Sequence, residues 1–68
     1  MTVGSQLKQT LAVLKGVRGT LRIYANQAQE EEAKKAYGEG LEELKAIIGD
    51  LEERLGALEM AEPQYKGL

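Results

Sequence analysis

Cysteine, histidine, tryptophan and phenylalanine are all missing from these 68 residues, and proline occurs once. Each gap removes a class of function. Without cysteine there is no disulfide framework and no thiolate metal site. Without histidine the commonest general base and the commonest metal ligand are gone. The single proline is Pro63, so nothing upstream of it breaks a helix by ring geometry. No apolar run approaches the roughly 18 residues that a membrane span requires. The opening "MTVGSQLKQT" lacks the charged-then-apolar order of a secretory signal. The expectation is a soluble, cytoplasmic protein without membrane insertion and without a cofactor or bound metal.

What is present is a helical vocabulary in a chain long enough for one domain at most. A chain this short buries a small share of its surface, and its core is small against the entropy of ordering it. Such scaffolds gain stability by very regular helix packing or by association. The net charge of −2 hides an asymmetry. Residues 1–28 hold Lys8, Lys15, Arg18 and Arg22 and no acid, about +4. Residues 29–68 hold all eleven acids and the other five bases, about −6. Such halves attract, within a chain or between chains, but single surface pairs contribute only about 0–1 kcal/mol.

Periodicity supplies the architecture. Val3, Leu7, Thr10, Leu14, Val17, Leu21, Tyr24 and Ala28 follow one another at alternating intervals of four and three. That is one stripe of a helix with a coiled-coil-like period, and Leu11 and Val13 widen it. Tyr37, Leu41, Leu44, Ile48, Leu51, Leu55 and Leu58 form a second stripe, widened by Ile47. Between the stripes lies "NQAQEEEAKK", with no proline or glycine to mark a turn. Glu30, Glu31 and Glu32 in a first helical turn would complement a helix dipole. One unbroken helix of about 58 residues is the rival. The hairpin is favoured because folding near residues 30 and 31 sets Tyr24 opposite Tyr37, Leu14 opposite Ile48 and Leu7 opposite Leu55. A loop of two to four residues is ordinary for antiparallel neighbours. The predicted organisation is a hairpin over 1–61, with a helix over about 3–27, a turn over about 28–30 and a helix over about 31–61, followed by a non-helical tail over 62–68. Thr2 or Ser5 is the expected cap of the first helix.

The fold class is therefore all-α, an antiparallel two-helix hairpin whose wide stripes invite a second layer. Two hairpins would close a four-helix bundle. The expected self-association core is Leu7, Leu14, Val17, Leu21, Leu41, Leu44, Ile48, Leu51, Leu55 and Leu58. The helical glycines each cost roughly 1 kcal/mol relative to alanine. Gly49 and Gly56, near Ala46 and Ala57, read either as a close-approach face or as neutral surface drift.

Catalytic chemistry finds little footing. The acidic runs Glu30–Glu32, Glu42–Glu43 and Glu52–Glu53 flank the stripes rather than interrupt them, as solvated faces do. Di-metal carboxylate bundles use inward glutamates with Glu-x-x-His motifs, which a chain without histidine does not have. The hydroxyls have no base beside them. Lys8, Lys15 and Arg22 recur every seven residues as a basic ridge. The ridge suits association with an anionic surface, or pairing with the acidic helix of a neighbour. Lack of aromatic interleaving and of a basic balance argues against nucleic acid. Tyr24 and Tyr37 are expected to pack beside the turn. Pro63 ends the second helix, and Pro63, Tyr65 and Leu68 read as a tail anchor docking on the hairpin or on the next subunit.

The segments "MTVGSQLKQTLAVLKG", "EEEAKKAYGEG" and "EPQYKGL" together resemble a family of short uncharacterised proteins, a domain of unknown function, from endospore-forming Firmicutes. The likeness covers nearly the whole chain. Gly4, Gly38 and Gly40 depart from it, standing where a better helix former is expected. The resemblance implies an all-helical cytosolic protein of the forespore or spore, and it brings no catalytic residues. Its members' genes often lie near those for spore-membrane and germination proteins. The expected function is a non-enzymatic, self-associating structural or protein-interaction role, as a dimer or a larger homo-oligomer. The alternative is an accessory module that binds another spore protein, one of the spore membrane, or an anionic surface through the basic ridge.

Overall fold

The computed structural model describes residues 2–61. Two helices, α1 (Val3–Gln27) and α2 (Glu31–Ala61), make up almost all of it. They fold back on each other as an antiparallel hairpin. The ends are defined locally. Thr2 is the N-cap of α1: it is extended, and its Oγ1 accepts a hydrogen bond from the Ser5 backbone N–H at 3.1 Å. At the other end Ala28 leaves helical geometry at φ −65°, ψ 134°, while its N–H still donates to the Tyr24 carbonyl at 2.9 Å. Glu31 and Glu32 occupy the first turn of α2, where carboxylates complement the dipole. Among the described residues no backbone position has positive φ. The turn therefore needs neither glycine nor proline, which is why the sequence marks it so faintly.

The core is a single seam between the helices. Leu11, Leu44 and Ile48 are its buried members, at 5%, 7% and 2% exposure, and Leu14, Leu21, Leu51 and Leu55 pack against them half-buried. On α2 this seam follows the expected stripe. On α1 it is turned by one residue. Its row runs Gly4, Leu7, Leu11, Leu14, Arg18, Leu21, Ala25 and Ala28, all buried or half-buried. Leu11, expected to widen the stripe, lies at its centre. Val3, Val17 and Tyr24, expected within it, are exposed. The reason lies in the side chains. Every leucine of α1 sits in the seam, and each of its β-branched aliphatics (Val3, Val13, Val17 and Ile23) is exposed. A long leucine reaches across to α2, whereas a stiff, short β-branched chain does not.

The hairpin is one layer thick. Its radius of gyration is 15.1 Å, against about 11 Å for a compact domain of this length. Stable domains normally pack two layers around a core. The expected tail anchor, Pro63, Tyr65 and Leu68, lies outside the described residues.

Candidate interaction surface

The two helix axes define a plane, and the side chains on its two sides differ in kind. One flank is charged. Lys8 Nζ reaches Glu59 Oε2 at 3.5 Å, and Lys15 Nζ reaches Glu52 Oε2 at 2.9 Å. Both pairs cross from α1 to α2 over a shallow groove of about 410 Å³ floored by Leu11 and Leu55. Two thirds of the basic ridge is thus paired within its own hairpin. These pairs are partly exposed, so each contributes at most about 1 kcal/mol and serves mainly alignment. Arg22, the third member, has no ion pair among the described residues.

The other flank of α1 carries no charge at all. Along two adjacent rows it presents Val3, Thr10, Val17 and Tyr24, then Gln6, Val13 and Thr20. Val13 is 65% exposed and Val17 44%. A groove of about 440 Å³ runs here between Gln9, Thr10, Val13 and Leu14. The threonines are less polar than their composition suggests. Thr10 Oγ1 donates to the Gln6 carbonyl at 3.1 Å, and Thr20 Oγ1 donates to the Gly16 carbonyl at 3.2 Å. A hydroxyl already bonded to its own helix loses little when a partner covers it. By helical spacing α2 contributes Gly40, Ile47, Arg54 and Ala61, then Ala36, Glu43, Asp50 and Ala57, to the same side, so the uncharged strip belongs to α1 and α2 adds charges at its outer edge. Ile47 is 50% exposed, and Arg54 is neutralised locally by Asp50 at 3.1 Å. Near the turn the Tyr24 and Tyr37 rings lie 6.2 Å apart, tilted by 41°, in the range of a favourable aromatic pair.

No group of three or more acidic, histidine or cysteine side chains is placed to hold a metal among the described residues. The triple glutamate lies at the start of α2, exposed, with Glu31 Oε1 3.6 Å from Lys34 Nζ. No helix among the described residues is long and apolar enough to cross a membrane. Sequence reasoning located Leu7, Leu14, Leu21 and the α2 stripe, but missed Leu11 as the centre of the seam and Arg18 as a member of it. The signal was available in the type of aliphatic residue: leucine inward, valine and isoleucine outward on α1.

No curated protein sequence and no solved structure matches the chain. A family model does, over residues 7–55, from the second turn of α1 through the turn to Leu55 in the seam of α2. The two ends of that match, Leu7 and Leu55, are both half-buried seam leucines, so the matched segment is the packed part of the hairpin. The chain belongs to the family of proteins of unknown function DUF1657.

Proposed function

We propose that this protein is a non-enzymatic structural or protein-interaction element that self-associates, two hairpins pairing through their uncharged flanks into a four-helix bundle. The observation that carries the reading is the contrast between the flanks of α1. Seven consecutive flank positions from Val3 to Tyr24 hold no charge, while the opposite flank holds Lys8, Lys15 and Arg22. Val3, Val13 and Val17 are exposed along one flank of α1, with Ile47 of α2 exposed on the same side, so the large exposed aliphatics gather on this face. The face is large enough. The hairpin extends 48 Å by 16 Å, comparable with the roughly 800 Å² that each partner buries in a stable interface. A second copy is the natural occupant because it offers the same apolar face, and a two-fold axis makes the contact self-complementary.

A spore-associated setting, cytoplasmic in the forespore or within the spore, is supported by the resemblance to proteins of endospore-forming Firmicutes. Detection of the protein in vegetative cells at the same level as in forespores would remove that support. The reading of the basic ridge as an accessory surface for a spore-membrane protein has less behind it, since Lys8 and Lys15 are engaged by Glu59 and Glu52.

Absolute mass by light scattering on a sizing column tests self-association. The expected result is a dimer or larger species that holds its mass over a wide dilution range. Val17→Glu combined with Ile47→Glu should give a folded, helical monomer. A wild-type chain that is already monomeric and well folded overturns the proposal.

A further inference from the structure

The charged flank holds a concavity whose three cations make no ion pair among the described residues. It lies toward the turn, encloses about 300 Å³, and is lined by Arg18 and Arg22 of α1 and by Leu41, Glu42 and Lys45 of α2. Arg18 and Arg22 are four residues apart and project from neighbouring points on α1. Lys45 approaches from the other helix. Among the described residues none of these three has an ion pair, whereas the next two cross-helix positions along the same flank are paired as Lys15–Glu52 and Lys8–Glu59.

Arg18 is the informative member. It stands in the seam row between Leu14 and Leu21, half-buried, where a leucine would extend the core. A charged residue at a packing position conflicts with the pattern around it, and such conflicts concentrate at functional sites. Its aliphatic stem covers the seam while its guanidinium is free to face the concavity.

We propose that Arg18, Arg22 and Lys45 form a binding site for a phosphate-type dianion at the interface between the helices. Three cations and the single carboxylate of Glu42 leave about +2, which matches a phosphate group carrying about −1.5 to −2. Arginine forks meet phosphate oxygens with paired hydrogen bonds, and lysine adds a compact point charge. Glu42 opposes the anion and sets an upper limit on affinity. The site is on the flank opposite the uncharged face, so it stays open in the bundle and does not depend on self-association.

Pyrophosphate titrated into isotopically labelled protein, followed by backbone amide shifts at low ionic strength, tests the site. Sodium chloride of matched ionic strength is the control. The expected result is saturable shifts at residues 18, 22 and 41–45 that chloride does not reproduce. Arg22→Gln and Lys45→Gln should each weaken binding by about tenfold, the worth of one charge-assisted contact. Glu42→Gln should tighten it. Arg18→Leu separates the site from a packing role: melting temperature should rise as the seam gains a leucine, while pyrophosphate affinity falls. Vesicles with phosphatidic acid, compared with pure phosphatidylcholine, identify the source of the phosphate. Competition at the same residues assigns a lipid headgroup, and pyrophosphate binding without vesicle binding assigns a soluble phosphate. Shifts centred on Lys8 and Lys15, or Arg18→Leu and Arg22→Gln titrating like wild type, overturn the proposal.

Discussion

Six of the seven helical glycines set a residue-scale test of what the hairpin sacrifices. A Cβ built on Gly16, Gly19, Gly38, Gly40, Gly49 or Gly56 meets nothing within 4 Å, so no close approach inside the chain requires a glycine there. Gly16→Ala and Gly49→Ala, both on exposed positions away from the uncharged flank, should each stabilise the protein by about 0.5–1 kcal/mol. For a domain of this size that is a rise of several degrees in melting temperature. Thermal melts followed by circular dichroism measure it. A fall at either position would mean that another molecule packs against that glycine. The opposite extreme is Ile48, at 2% exposure the least accessible residue of the seam. Ile48→Ala should cost about 2–5 kcal/mol by leaving a cavity between the helices. With three buried hydrophobic residues among the described residues, such a loss should leave much of the chain unfolded at room temperature, read as lost ellipticity in the same melts.

At the scale of the helices, each end has its own chemistry. Thr2→Ala removes the side-chain acceptor for the Ser5 N–H and should cost about 1 kcal/mol. Amide hydrogen exchange locates the effect: protection should fall in the first turn of α1 and stay unchanged around Leu44. Loss of protection spread over both helices would show that the cap is not local. The helices themselves were legible because their periodic stripes are long and match when the chain is folded back. The α2 seam was legible because its apolar row of Leu41, Leu44, Ile48, Leu51, Leu55 and Leu58 admits one reading. The α1 seam was not, because two adjacent rows compete. Val3, Thr10 and Val17 continue one row, while Gly4, Leu11 and Arg18 continue the other. Counting apolar residues favours the first row, since glycine and arginine interrupt the second. Packing favours the second, since only leucine spans the gap to α2. Arg18 disguised the seam by placing a charge in it, and Lys45 drew no notice because its partners in the concavity come from the other helix.

For the molecule as a whole, charge distribution decides how two hairpins would be arranged. Two face-to-face dimers satisfy two-fold symmetry. With the axis parallel to the helices, α1 lies over the partner's α2 and both turns sit at the same end. With the axis across the helices, α1 lies over the partner's α1 and the turns sit at opposite ends. Residues 1–28 contribute about +4 and residues 29–68 about −6, so the second arrangement sets like charge against like. The first sets unlike charges together and should prevail. Individual terms are small and screened beyond about 10 Å at moderate salt, and Lys34, Lys35, Lys45 and Arg54 of α2 oppose the trend, but the net charges of the two helices favour the first arrangement. A spin label on Gln29→Cys in the turn reports the outcome, because the exposed turn accepts the change and the sequence has no other cysteine. Labels at the same end should lie within roughly 20 Å of each other, the width of a bundle whose neighbouring helix axes are 8–10 Å apart. Labels at opposite ends would be separated by most of the 48 Å length of the hairpin. A long distance would show that the uncharged face, rather than the charges around it, sets the orientation.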